Sequence, residues 1–350
     1  MRSRDRRETV AMKSRVSGAA RIVSALIGAL LTAAAPVATF AESIRGEVVT
    51  LVSPNSAGGM MTRYARMIAP YIAKHSGAAD VRIRVMTGGG AIRGSNYVWF
   101  SEPDGRTIAF TSVPSLILAQ LSGSEAAQFD ATKFVYLGRA ATEPRVLTVG
   151  ATSEIMTVAD AERLDRPFIF PSQGTDEDFY SMAVLSNALD IDMKVISGYS
   201  GNADTALAVI KGDGDGHITG WSASMAIIQS GDERPILSLS AERFELYPDV
   251  PTALELVSGE SRAAVQAIVN MLDMRRGFFG PPDLDPVATA ELRAAISAAL
   301  TDPELIAESE AAGLPLLPSD GRTEQAKIDQ ITAASENIVP ILRAALESIR

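Results

Sequence analysis

The sequence predicts an α/β fold. Strand-like runs rich in Val, Ile, Thr and Phe alternate with helical patterns along most of the chain, and four of these runs lead into small, polar or Gly-containing turns that open a helix. We find no low-complexity linker and no long-period repeat. Since domains average about 150 residues, a chain of 350 residues is long enough for two of them.

Nine runs have the composition and length of strands. They span residues 47–53, 81–86, 106–112, 145–150, 166–172, 193–198, 216–220, 235–240 and 275–280. From Asp285 onward the pattern is helical: a Pro-initiated helix is followed by a break at 301–303 and by a long amphipathic stretch.

Residues 1–41 predict a cleaved secretory signal peptide. A basic stretch precedes a short apolar run, and Thr39 and Ala41 stand at the small-residue positions of a cleavage site. The alternative is a membrane anchor, but the apolar run is shorter than the ~20 residues that a span needs. The exported chain should then begin near Glu42, whether translation starts at Met1 or Met12. Because the chain has no Cys, we exclude a lipid anchor, disulfides and thiol chemistry.

The charge balance argues against nucleic acid and anionic lipid as partners. The chain holds 32 Lys/Arg and 42 Asp/Glu, of which the signal segment takes seven and two. The remaining chain carries 25 basic and 40 acidic residues, a net charge of −15. Such a field repels polyanions strongly and small anions weakly. A site for a small anion must therefore work through local hydrogen-bond donors.

Four turns are the main indication of function. They span residues 53–59, 86–94, 170–179 and 197–204, two in each half of the chain. In open α/β sheets, ligands bind beyond the carboxyl ends of the strands, where helix N-termini present unpaired N–H groups. The alternative is that the small residues serve only as turn and cap residues. Their recurrence in both halves favours a shared ligand site.

Two stretches resemble common cofactor and metal motifs, but neither matches in full. The Gly-rich stretch 88–94 has Arg93 where a dinucleotide loop needs its third Gly, and no Lys follows for a phosphate loop. The stretch 213–224 begins like a calcium loop, but Ile218 and Ser224 stand where Gly and Glu are required. We therefore predict no cofactor and no metal.

A hydrolase is the alternative from a different class. The stretch 220–224, Gly-Trp-Ser-Ala-Ser, approaches a nucleophile elbow but ends in Ser rather than Gly. A triad also needs a His, and the chain has only His75 and His217. A base within ~2.6–3.2 Å of Ser222 would favour an unconventional serine centre. Without one, we predict that the chain is not an enzyme.

Five stretches, in order along the chain, carry a resemblance to a known family. They are SPNSAGGMMTRYAR, MTGGGAIRGSNYVWFSEPDGRTIAF, GYSGNADTALAVIKGDGDG, LYPDVPTALEL and FFGPPDLDP. Together they resemble the solute-binding proteins of tripartite tricarboxylate transporters, the Bug receptors, over about residues 44–345. The resemblance implies a type II periplasmic-binding-protein fold, in which two α/β lobes joined by crossing strands close on a ligand in the cleft between them. It also implies carboxylate ligands held largely by backbone N–H groups and ordered water.

Two departures from the family pattern concern the ligand. The family usually has Asp three residues after its Gly pair, where this chain has Thr62. Asp176, Glu177 and Asp178 begin a predicted helix and complement its dipole, so they would compete with an anionic ligand or favour one bearing an amine. Both departures weaken the expectation of a plain dicarboxylate.

We therefore predict a periplasmic receptor, expected to be a monomer, that captures a small organic acid and delivers it to an integral-membrane permease. A ligand sensor for a partner kinase would use the same clamp and remains an alternative. Residues 43–148 and 276–350 would form lobe 1, and residues 149–275 lobe 2. Backbone N–H groups would hold the carboxylate, while Asp215 would accept from a hydroxyl, amine or water, or would order its turn. The residues expected at the ligand are Ser53, Asn55, Ser56, Gly58, Gly59, Gly89, Gly90, Arg93 and Ser112 in lobe 1, and Gln173, Gly174, Thr175, Tyr199, Ser200, Gly201, Asp215 and Ser222 in lobe 2.

Overall fold

The computed structural model describes residues 44–349, so the predicted signal peptide lies outside the described residues. The strands are β1 Val48–Ser53, β2 Asp80–Val85, β3 Thr107–Thr111, β4 Val135–Arg139, β5 Arg145–Gly150, β6 Phe168–Ser172, β7 Met193–Ser197, β8 Gly216–Gly220, β9 Glu233–Leu239, β10 Gly277–Gly280 and β11 Ser319–Asp320. The α-helices are α1 Met60–Ser76, α2 Ile92–Trp99, α3 Val113–Leu121, α4 Val158–Glu162, α5 Glu177–Ala188, α6 Asn202–Lys211, α7 Trp221–Ser230, α8 Ala253–Leu256, α9 Gly259–Leu272, α10 Pro286–Leu300, α11 Pro303–Ala311, α12 Gly321–Ala334 and α13 Val339–Ser348. Among these helices, none is both long and apolar enough to span a bilayer.

All nine predicted strands form, and the predicted break at 301–303 separates α10 from α11. Two strands were not predicted. β4 was missed because Gly138 and Arg139 interrupt its apolar run, yet both are buried in a strand that lies between β10 and β11. β11 has only two residues, too few to give a pattern.

The first sheet has six strands in the order β11-β4-β10-β3-β1-β2. β1 is parallel to β2 and β3, whereas β10 runs antiparallel between β3 and β4. β1 is apolar on both faces because both are covered: Val49 and Leu51 belong to the core that includes α1, and Val52 belongs to the core on the other side. The carboxyl ends of β1, β2 and β3 therefore share one edge of the sheet.

Helix α1 is set against this sheet by a single apolar stripe. Met61, Tyr64, Ile68 and Ile72 recur every three or four residues and are buried. The helix ends at Gly77, whose φ of 73° is the left-handed conformation that favours Gly at a helix C-terminus. The stripe fixes where the N-terminus of α1 lies relative to the end of β1.

A three-stranded and a two-stranded sheet, together called the second sheet here, repeat the arrangement of the first. β5 runs antiparallel between β8 and β9, and β6 and β7 form a parallel pair. Asp215 joins the two groups, because its N–H donates to the Ile169 carbonyl at 2.8 Å and its carboxylate accepts from the Ile169 N–H at 2.7 Å. The resulting order β7-β6-β8-β5-β9 matches the order β2-β1-β3-β10-β4.

The chain passes between the sheets twice, at residues 140–144 and 273–276. The predicted lobe boundary at 148–149 falls inside β5, which pairs with β8 and β9 of the second sheet. At the return crossing Arg276 has φ 57°, which costs a non-Gly residue about 1–2 kcal/mol. Its carbonyl accepts from the Ala140 N–H at 2.9 Å, and its guanidinium lies 4.6 Å from the Tyr64 ring centre. These contacts tie the two crossing segments together.

Candidate ligand-binding site

In the first sheet, the turns after β1 and β2 lie side by side. The Met86 N–H donates to the Ser53 carbonyl at 2.9 Å, and a Cβ added to Gly94 would lie 2.8 Å from Pro54 Cγ. This approach requires Gly at position 94. The first two predicted turns therefore form one surface at the carboxyl edge of the sheet.

The turns after β6 and β7 form the equivalent surface of the second sheet. The Tyr199 N–H donates to the Ser172 carbonyl at 3.3 Å. The Gln173 side-chain amide donates to Asn202, and Asn202 in turn donates to Thr219 at the end of β8. Side-chain hydrogen bonds thus connect the segments at the carboxyl ends of β6, β7 and β8.

The surface of the first sheet faces the surface of the second sheet. A Cβ on Gly90 would lie 2.5 Å from the Thr175 carbonyl oxygen and 3.0 Å from the Asp176 nitrogen. A Cβ on Gly201 would lie 3.9 Å from Ser56 Oγ. All four turns singled out in the sequence therefore meet in pairs at one place.

Two helix N-termini at this place begin with Gly and have no side-chain cap. Gly59 precedes α1 and Gly201 precedes α6. A Cβ on Gly59 would lie 2.7 Å from Ser56 Oγ, although its φ of −69° and ψ of 157° suit any residue. The first N–H groups of each helix lack intrahelical acceptors, so the facing ends offer donors suited to an anion.

Polar side chains hold the first turn in shape. Ser53 and Thr62 hydroxyls lie 2.7 Å apart in full burial, and the Thr111 hydroxyl donates to Asn55 Oδ1 at 2.8 Å. Thr62 thus ties the start of α1 to the end of β1. Ser53 and Asn55 contribute to this site as supports of the turn.

A buried group of charges at the two crossings was not predicted as part of the site. This crossing cluster consists of Glu143, Arg145, Glu177, Asp178, Arg275 and Arg276. Arg275 Nε lies 3.2 Å from Glu177 Oε1, and Arg276 pairs closely with Glu143. The partners in these two pairs are 98 and 133 positions apart in sequence, so no local pattern could reveal the pairing. The adjacent Arg275 and Arg276 before an apolar strand were the only signal.

The arginines of the cluster keep Glu143 and Glu177 ionised. Burial alone would raise the pKa of Glu143, but the positive charges of Arg276 and Arg275 outweigh it and lower this pKa to about 2. Burial likewise opposes ionisation of Glu177, whose pKa is lowered by Arg275 and Arg145. Glu177 and Asp178 are thus paired with arginines inside the protein, which the acidic helix start in the sequence did not indicate.

A family model described as the tripartite tricarboxylate transporter family receptor matches residues 64–339. The chain belongs to this family. Comparison with curated protein sequences gives no significant match.

Three solved structures show the fold of this receptor. The periplasmic binding protein BugD has a TM-score of 0.69 and 18% identity over 84% of this chain and 97% of its own. MatC from Rhodopseudomonas palustris with bound malate has a TM-score of 0.66 and 20% identity, over 86% of this chain and 99% of its own. The R. palustris protein Rpa4515 with adipate has a TM-score of 0.66 and 20% identity, over 85% and 97%. The receptor has the type II periplasmic-binding-protein fold, as predicted.

The receptor is a binding protein and not an enzyme, which excludes the serine hydrolase. The Ser222 N–H donates to Glu143 at 2.8 Å. A carboxylate with a pKa of about 2, held by two Arg residues, is too weak a base to activate Ser222. Both histidines are engaged elsewhere, His75 with Asp302 at 2.8 Å and His217 with Thr205 and Glu233.

Asp215 and Arg93 both make hydrogen bonds within the protein. The Asp215 carboxylate accepts from Arg166 at 2.6 and 2.7 Å and from the Ile169 N–H, and these contacts hold its turn against β6. Arg93 is exposed, and its guanidinium donates to the Thr87 carbonyl at 3.5 Å within its own turn. Arg93 is thus in the expected turn, but its charge lies beside that turn's own backbone.

Proposed function

We propose that this receptor captures a small organic acid between the four turns and delivers it, in the periplasm, to the integral-membrane permease of a tripartite transporter. The proposal is based mainly on the close approach of turns from the two sheets, in which Gly90 lies against Thr175 and Gly201 lies against Ser56. Membership of the receptor family supports it, as do the malate and the adipate bound to MatC and Rpa4515.

The ligand carboxylate would be held by backbone donors. The facing N-termini of α1 and α6 supply N–H groups and the positive ends of two helix dipoles. Gly58, Gly59 and Gly201 leave the backbone open to close approach, and the hydroxyl of Ser56 lies between them. Local donors of this kind suit a protein whose net charge, −15 without residues 1–41, repels anions at long range.

The two lobes would move about the crossing segments. We place lobe 1 on the first sheet and lobe 2 on the second, with the crossings at 140–144 and 273–276 in place of a boundary at 148–149. Closure would bring the facing turns together around the ligand, and opening would separate Gly90 from Thr175.

A thermal-shift screen of carboxylic acids, followed by calorimetry, tests the binding. We expect at least one small carboxylate to raise the melting temperature and to bind with one-to-one stoichiometry. Failure of every acid, together with binding of neutral sugars or cations, would contradict the proposal. Deletion of the gene should then abolish uptake of the selected acid, whereas a sensor would leave uptake intact and alter only the response to it.

Export is tested separately. N-terminal sequencing of the periplasmic protein should begin near Glu42. An intact N-terminus on a membrane-bound product would show that residues 1–41 anchor the chain.

A further inference from the structure

The carboxylate of Glu177 lies between the two sheets as an anion that belongs to the chain itself. It accepts from the Ser115 hydroxyl in the first turn of α3, and it lies 3.2 Å from Arg275 Nε and 3.8 Å from Arg145 Nη2. Its residue is only 6% exposed. A serine of the first sheet's side and two arginines of the crossing cluster therefore surround one carboxylate, as they would surround that of a ligand.

This carboxylate lies next to the open donors. Thr111, at the end of β3, donates to Asn55 of the α1 turn, so the first turn of α3 adjoins that turn. On the other side, Asp176 immediately precedes Glu177, and a Cβ added to Gly90 would lie 3.0 Å from the Asp176 nitrogen. Glu177 thus occupies a second anion position beside the facing ends of α1 and α6.

A second chain carboxylate binds at the N-terminus of another helix, α7. The Glu143 carboxylate accepts the Ser222 N–H at the start of α7 and pairs with Arg275 and Arg276. A Cβ on Gly220 would collide with this carboxylate, so Gly at position 220 admits it. One chain carboxylate therefore accepts an N–H at the start of α7 and another accepts the Ser115 hydroxyl of α3, while α1 and α6 begin at uncapped glycines.

We infer that Glu177 stands in the place of a ligand's second carboxylate, so that this receptor selects a monocarboxylic acid over the dicarboxylic acid of the same chain length. The inference rests on the proposed function. A second ligand carboxylate would meet arginines already neutralised by Glu177 and Asp178 and would be buried without a partner, which is costly.

Matched acids test the selectivity by calorimetry: butanoate against succinate, and hexanoate against adipate. For whichever pair binds, wild type should prefer the monocarboxylate by about tenfold or more, which corresponds to ~1.4 kcal/mol. Glu177→Ala empties the position and should reverse the preference by at least a similar factor. Glu177→Gln fills the same volume without the charge and should still discriminate against the dicarboxylate.

A second readout does not depend on the ligand. Acetate should raise the melting temperature of Glu177→Ala more than that of Glu177→Gln or wild type, relative to chloride at equal ionic strength, because acetate can enter the emptied position. If Glu177→Ala folds poorly, acetate should restore its folding. An equal acetate response in all three proteins would overturn the inference.

The outcomes separate the two proposals. Wild type that binds succinate or adipate as tightly as butanoate or hexanoate is still a carboxylate receptor, but Glu177 is then not a selectivity residue. Wild type that binds neither member of either pair, nor any acid of the wider screen, refutes the proposed function itself.

Discussion

Replacement of Gly90 by Ala should weaken ligand binding because it prevents the turns from meeting. The new Cβ would lie 2.5 Å from the Thr175 carbonyl oxygen, so the facing turns would have to separate by about 1 Å to reach ordinary contact. Overpacking of this kind costs roughly 1–3 kcal/mol, and this cost falls on the closed arrangement. At 1.4 kcal/mol per factor of ten, affinity should fall roughly 5- to 150-fold.

Gly89→Ala is the matched control. Gly89 has φ 60° and Gly90 has φ 62°, so Ala at either position carries the same left-handed strain of about 1–2 kcal/mol. A Cβ on Gly89 meets Ile92 at an ordinary 3.5 Å and does not approach the second sheet. Both variants should therefore lose similar thermal stability, about 2–4 °C per kcal/mol.

Calorimetry with the acid selected by the screen separates the two effects. Gly90→Ala should bind several-fold more weakly than Gly89→Ala at similar melting temperatures. Equal affinities for the two variants would refute the reasoning, because the contact between Gly90 and Thr175 would then play no part in binding.

Three further predictions concern charge. Arg93→Ala should change the dissociation constant by less than about threefold, since an exposed contact such as that of Arg93 contributes little. A tenfold or greater loss of affinity in calorimetry would show that Arg93 binds the ligand. Lowering the pH from 4.5 towards 2 should reduce the free energy of unfolding by about 3 kcal/mol, because Glu143, with its lowered pKa, stabilises the fold only while it is ionised. Urea unfolding should show a smaller loss over this range in Glu143→Gln, and equal losses in the two proteins would contradict this role of Glu143. Affinity should change little, or rise slightly, between low and physiological salt, where exposed charges are screened over ~8 Å; a steep fall in calorimetry would indicate long-range electrostatic capture instead.

The strands and the four turns were predictable because their signals are local. Val49, Leu51 and Val52 form an apolar run that leads directly to small residues and a Gly pair, and each step is visible within about ten residues. The alternation of such units in both halves of the chain predicted the α/β fold. β4 was not predicted because its burial results from its position between β10 and β11, which only the assembled sheet shows.

The crossing cluster was not predictable, since its members meet only after the chain has folded. Glu143 and Arg276 stand 133 positions apart and pair because both crossing segments lie together. The same limit explains Asp176, Glu177 and Asp178, which in sequence form an acidic helix start. In the structure Asp176 caps α5, accepting from Asp178 and Phe179 N–H groups, while the other two acids pair with arginines.

Mass spectrometry of the small molecules released when the purified protein is unfolded tests the central claim most directly. Wild type and Gly90→Ala would be prepared in parallel and compared at equal protein concentration. The account predicts a small carboxylic acid released from wild type in near-stoichiometric amount and strongly depleted in Gly90→Ala. Release of no carboxylic acid from wild type, or of the same acid in equal amount from both proteins, would contradict capture of an organic acid between the four turns.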